Sequence, residues 1–203
     1  MCNHPELIYK TNKQINSDVE SFLSQYHPSL ELPIPIEEII DLKLRIDIIP
    51  IPGLKEASNR VGLNIDAFIS SDFKHISVDE NIQYNVYKRY RFSLAHEIGH
   101  RMLHGYLYNL YEFSSSEEWI VIINSMPEKT RKMVEFQANE FAGQLLVPPS
   151  LFEEAYEDAL EYNKVAFNIM PKEEIAKEFA FATLAEKFAV SEEVIRIRFQ
   201  VHK

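Results

Sequence analysis

The chain is poor in cysteine: Cys2 is the only one. No internal disulfide can form, so the core must hold the fold, as expected of a protein from a reducing compartment. Long apolar runs are missing too, and no membrane-spanning helix is expected. The opening residues MCNHPELIYK lack a basic start followed by an apolar stretch. A signal peptide is therefore not expected, and the expected location is cytoplasmic. Glycine is scarce, five in 203 residues, which favours long regular elements over loops. Positive charge is short as well, with 21 Lys and Arg against 31 Asp and Glu and a net charge of −10. That balance disfavours non-specific binding to nucleic acid or anionic membranes, so neither is an expected partner. What the chain does have is the composition of a folded globular protein, 46% hydrophobic and 12% aromatic. Its length suffices for one well-buried core with a small appendage.

The order of patterns predicts an α+β fold: a small N-terminal sheet of about three strands on a helical majority, with a helical C-terminal tail. Residues 15–27 read as a short helix, and LPIPIEEIIDLKL as a helix with Ile36, Ile39, Ile40 and Leu44 on one face. LRIDIIPIP reads as a strand that its prolines place at an edge. VGLNIDAFIS and KHISVDE are two more strands, joined as a hairpin through SDFK. A helix is expected from about Tyr84 to His104, stopped by Gly105. After a loop at EFSSS, further helices are expected from Ser116 to before Pro127, from Glu128 to Leu146, over 150–162, from Pro171, and over 191–200. The expected organisation is a main domain over 1–165 and a helix-turn-helix-like segment over 166–203 packed on the same core.

Three of the seven histidines fall in RFSLAHEIGHRMLH, residues 91–104. On a helix, His96 and His100 lie on one face, about 40° apart, so their ring nitrogens can converge on one ion. Zinc is the ion that such a pair serves best, because imidazole nitrogen suits it and tetrahedral geometry accepts two ligands from one turn. Glu97, offset by about 100°, flanks the pair where a carboxylate can take a proton from an attacking water. H-E-x-x-H thus provides two ligands and a general base. An apolar helix with two polar imidazoles is the simpler reading, but burying unpaired histidines is costly, and a metal satisfies both. Gly99 in mid-helix costs about 1 kcal/mol against alanine, which implies close approach of another segment.

A catalytic zinc needs a third protein ligand and an open position. No histidine follows at the short spacing of the compact H-x-x-H-x-x-G-x-x-H pattern. The next source is EFQANEFAGQLLVP, where Glu135 is the preferred ligand and Glu140 a rival. Asn139, one turn beyond Glu135, can hydrogen-bond a ligand imidazole and fix its tautomer.

These two motifs, RFSLAHEIGHRMLH and EFQANEFAGQLLVP, resemble the ImmA/IrrE family of metallopeptidase-like proteins of bacteria and their mobile elements. The upstream order of proline-rich helix, strand, hairpin and basic KRYR extends the likeness to roughly residues 30–150. The resemblance implies His96, His100 and Glu135 as zinc ligands, Glu97 as catalytic base, and a minimal thermolysin-like fold. It implies a protein substrate, a helix-turn-helix transcriptional repressor whose cleavage derepresses genes. An alternative within the family is a zinc-stabilised antirepressor that binds a repressor stoichiometrically without cutting it. The chain departs from the pattern in having Val147 before the proline, where methionine is common, and Asn139 where other zincins have aspartate.

His104 either reaches the cleft and donates to an oxyanion or, the preferred reading, is structural. Lys88, Arg89 and Arg91 either bind substrate carboxylates or, preferably, pair with acidic surface. The tail ATLAEKFAVSEEVIRIRFQ has Leu184, Phe188, Val190, Val194 and Ile195 as a packing set. The final helix has only Arg196, Arg198 and Lys203 as cations, too few to favour binding in a nucleic-acid groove, so core or protein docking is preferred to a DNA-binding regulator.

Overall fold

Thr11 opens the first helix with a capping box: its hydroxyl accepts from the Gln14 N–H, and the Gln14 side chain accepts from the Thr11 N–H at 2.9 Å. The computed structural model describes residues 8–108, 115–167 and 173–202. Cys2, most of the expected EFSSS loop, Pro171 and Lys203 lie outside the described residues. Helix α1 (Asn12–Tyr26) starts earlier than expected because of that cap, and it buries Ile15, Val19, Phe22 and Leu23 along one stripe. Helix α2 (Ile36–Glu38) follows Pro35 and widens into a π-helical turn, Ile39–Lys43, closed by the Leu44 N–H donating to Ile39 O at 2.9 Å.

The sheet contains β1 (Asp47–Ile51), β2 (Ala67–Ile69) and β3 (His75–Asp79) in the order β1-β3-β2. β1 runs parallel to β3, and β2 pairs with it antiparallel. Pro50 lacks an N–H, and its strand lies at an edge as the sequence predicts. The β2–β3 turn is the expected hairpin, closed by the Phe73 N–H donating to Ser70 O at 3.0 Å. Asp72 Oδ1 braces it, accepting from Ser70 Oγ at 2.7 Å and from the Lys74 N–H at 3.1 Å.

Two expectations fail here for local reasons. Helix α3 (Leu54–Arg60) was not foreseen; it starts after Gly53, whose φ of 70° suits glycine. The stretch read as one strand over 61–70 is extended only at Ala67–Ile69. Gly62 turns the chain at φ 76°, and Ser58 Oγ accepts the Ile65 N–H at 3.1 Å, so the first half forms a turn.

Helix α4 (Glu80–Asn85) is capped by Asp79, whose Oδ1 accepts from the Ile82 N–H at 3.2 Å. The chain breaks at Val86 and continues as α5 (Tyr87–Tyr108), so the expected single helix from Tyr84 is two. Gly105 does not stop α5. Leu107 and Tyr108 beyond it are buried, and burying two large side chains outweighs the roughly 1 kcal/mol cost of a helical glycine. The remaining helices are α6 (Ser116–Ser125), α7 (Glu128–Leu146), α8 (Pro149–Phe167), α9 (Glu173–Lys187) and α10 (Glu192–His202). α7 has the bounds the sequence predicts, and α8 outruns its expected end.

α5 is the central element: α7 packs along it, β2 and β3 rest on it, and α1 lies across α7. α9 joins α8 and α10, and Ala180, Phe181, Leu184, Phe188, Val190 and Ile195 enter the same apolar cluster as Leu94, Ile98 and Phe141. The α+β class expected from sequence is the one observed, a small mixed sheet on a helical majority.

Candidate metal centre

α5 and α7 can approach closely because position 99 is glycine. A Cβ there would lie 3.0 Å from Ala138 O and 3.2 Å from Ala138 Cα and Phe141 Cβ, so the two backbones are nearly in contact. This is the close approach that a mid-helix glycine implied. It sets Glu135 and Asn139 of α7 against His96 and His100 of α5. The four line a cleft of about 280 Å³ together with Glu97 and, from the β2 side, Asn64 to Ala67.

His96 Nε2 and His100 Nε2 stand 2.9 Å apart. Glu135 directs one oxygen to each, Oε2 at 3.2 Å from His96 Nε2 and Oε1 at 3.7 Å from His100 Nε2. His96 Nδ1 donates to Asn139 Oδ1 at 2.9 Å, the contact that the spacing of Asn139 suggested. With its proton on Nδ1, a neutral His96 presents the Nε2 lone pair to the cleft.

Glu97 is buried, and its Oε2 accepts from the Ile69 N–H of β2 at 2.8 Å. One ligand atom from each of His96, Glu97 and His100 also lies within 4.8 Å of the others, so two carboxylates compete to be the third ligand. Glu135 is the better candidate, because both its oxygens face the ring nitrogens while one oxygen of Glu97 is held by the backbone. The other rival, Glu140, is turned away and pairs with Arg198 Nη1 at 3.2 Å.

Electrostatics argue for a cation at this point. Burial disfavours a charged His96, yet the hydrogen bond and charge of Glu135 prevail and raise its pKa to about 9 in the metal-free protein. Burial raises Glu97 to about 8, against the pull of His96. Burial opposes the charge of Glu135 too, but its hydrogen bond to His96 brings it down to about 2. His100 is held well below its ordinary value by burial and by the neighbouring His96. Two nitrogens and two carboxylate oxygens thus face one point, and without a metal a proton on His96 must supply the positive charge. The donor set of two imidazoles and a carboxylate suits a divalent cation.

His104 is fully buried, and burial lowers its pKa to about 4. It does not line the cleft. Its Nδ1 faces His100 Nδ1 at 3.2 Å and its Nε2 faces Gln137 Oε1 at 3.0 Å, so the oxyanion role considered for it is unsupported. The basic run pairs internally: Lys88 with Glu186 at 2.7 Å, Arg89 with Asp66, and Arg91 with the carbonyls of Ile34 and Ala189. Sequence reasoning passed over Gln137 and Asp66. The i, i+4, i+8 run of histidines was a signal that the third needed a buried partner, whereas nothing local marked Asp66.

Fold and site together define a class: an α+β protein with a histidine–glutamate cluster able to hold a metal. The family follows from the match of the IrrE N-terminal-like domain model, Peptidase_M78, over residues 48–200, and the chain belongs to that family. The match starts later and runs further than the likeness read from the motifs, and it takes in α9 and most of α10. Membership of a peptidase family implies protease activity, a protein substrate and a metal. Among curated proteins none matches the chain. No helix among the described residues is long and apolar enough to cross a membrane.

Proposed function

We propose that this protein is a zinc-dependent endopeptidase of the cytoplasm whose substrate is a helix-turn-helix transcriptional repressor, with derepression of genes as the outcome. In this reading residues 1–165 form the peptidase unit and 166–203 a helical segment closing its core. The observation that carries the enzymatic part is the convergence of two imidazole nitrogens, 2.9 Å apart, on the two oxygens of Glu135. His96, His100 and Glu135 hold the ion, and Glu97 stands beside them as the base. The repressor substrate rests on the family resemblance.

A zinc ion held by these three residues supplies Lewis acidity, polarising a peptide carbonyl and bringing the ionisation of water near neutral pH. Glu97 removes the proton from the attacking water and delivers it to the leaving amine. Its bond from the Ile69 N–H leaves the second carboxylate oxygen for that transfer. Asn139 holds His96 by its Nδ1–H, so the ring keeps its orientation.

Glu97→Gln tests the reading. Zinc content by metal analysis should stay near that of the parent chain, while cleavage of a purified repressor should fall by about 10²–10⁴-fold. Repressor release in cells that persists in this variant would instead favour stoichiometric sequestration.

A further inference from the structure

We infer that His104 and Gln137 form a positioning pair that fixes the tautomer of His100 and so turns its Nε2 lone pair towards the ion, an assignment that rests on the metal site proposed above. Gln137 is wholly buried and offers its amide oxygen, Oε1, to His104 Nε2 at 3.0 Å. An amide oxygen only accepts, so His104 carries its proton on Nε2. A neutral imidazole has a single N–H, which leaves His104 Nδ1 as an acceptor. That nitrogen faces His100 Nδ1 at 3.2 Å, and the contact is a hydrogen bond only if His100 Nδ1 donates. His100 then has no proton on Nε2, the atom that faces His96 Nε2 and Glu135.

The direction of the whole relay is set at its inner end. Were the Gln137 amide reversed, its NH₂ would donate to His104 Nε2, His104 Nδ1–H would donate to His100, and a proton would sit on His100 Nε2. That proton would occupy the position of a metal bond. In the orientation found, the amide oxygen faces His104 at 3.0 Å, and Gln137 Nε2 has no hydrogen-bond partner among the described residues. The relay lies in the interior between α5 and α7, away from the cleft, and touches no substrate. His96 is held differently, by Asn139 at the cleft. The two ligand rings therefore have separate orienting partners, and the inner one is a chain of two residues.

The test uses the full chain with zinc(II) as the probe, its affinity measured by competition with a chromophoric chelator. Gln137→Met keeps the bulk of the side chain but removes the acceptor, and His104→Phe removes the relay. Each should weaken zinc binding about 10–100-fold, whereas Gln137→Glu, whose ionised carboxylate only accepts, should retain it. Long-range proton–nitrogen NMR of the metal-free parent chain should show His104 protonated on Nε2 and His100 on Nδ1, with that pattern lost in Gln137→Met. Parent-like affinity in both weakening variants, or His100 protonated on Nε2 in the metal-free parent chain, overturns the inference. If the parent chain fails to bind zinc, the metal reading fails by itself, and the NMR pattern still decides for or against the relay.

Discussion

α7 carries two acidic clusters built on opposite terms. Glu140 faces α10, where Arg198 meets it at 3.2 Å with both side chains at least nine-tenths buried, so that charge is answered from within the chain. Glu135, five residues earlier and about 140° round the helix, faces two imidazoles and no fixed cation. Without a metal, its charge is answered only by a proton taken up on His96. A buried ion pair that neutralises itself is structural; a cluster that can be neutral only with a proton or a metal is built for a ligand. The sequence lists both glutamates in one helix, and only their neighbours distinguish them.

Cutting the self-contained pair gives the largest expected loss of stability. Glu140→Gln leaves Arg198 buried without its counter-charge and should lower the unfolding free energy by about 3–5 kcal/mol. Exchanging both partners, Glu140→Leu with Arg198→Met, should restore most of it in denaturant titrations. Glu135→Gln should cost the metal-free chain less, because its side chain is 42% exposed, and show mainly as lost zinc occupancy. If the two single variants exchange these effects, the distinction drawn between the clusters fails.

A smaller effect sharpens the comparison from the packing side. Gly99→Ala forces a methyl to within 3.0 Å of Ala138 O, which should destabilise the chain by about 1–3 kcal/mol. Because the added group pushes α5 from α7, zinc affinity should drop with it, while the Glu140–Arg198 pair on another side of α7 is spared. Thermal melts with and without zinc measure both.

The smallest effect is in pH. His96 and Glu97 have metal-free pKa values raised to about 9 and about 8. The lowered His100 and His104 count against them only below their ordinary 6.5, so between about pH 6.5 and 9 these groups bind more protons in the folded chain than in the unfolded one. Stability then falls as pH rises through that range. The melting temperature of metal-free protein should decline from about pH 6.5 to 9, and zinc should reverse the trend because its ligands bind deprotonated. A metal-free melting temperature that climbs over this range contradicts the assigned charge states.

Much of the site was legible because H-E-x-x-H encodes its geometry in one helical turn. The α7 boundaries were legible for a similar reason: Pro127 and Val147-Pro148-Pro149 bracket them. What escaped depended on contacts distant in sequence. Glu135 could be preferred to Glu140, but the reason Glu140 is excluded is Arg198, 58 residues away. Gln137 lies inside EFQANEFAGQLLVP, but nothing in that motif marks it, and the role inferred for it arises only when α7 lies against α5. Gly105 was misread because glycine's local preference for a helix end is weaker than the burial of Leu107 and Tyr108 that follows it. The short α3 was missed because seven residues carry too little periodicity to stand out beside a turn.

The bond from the Ile69 N–H to Glu97 ties that carboxylate to an edge strand of the sheet. Along a strand, successive N–H groups point to opposite edges, so a slip of β2 by one residue would put a different backbone group against the acid. The short turn braced by Asp72 therefore acts as a set screw, since fixing the hairpin's register also fixes how far the carboxylate can reach.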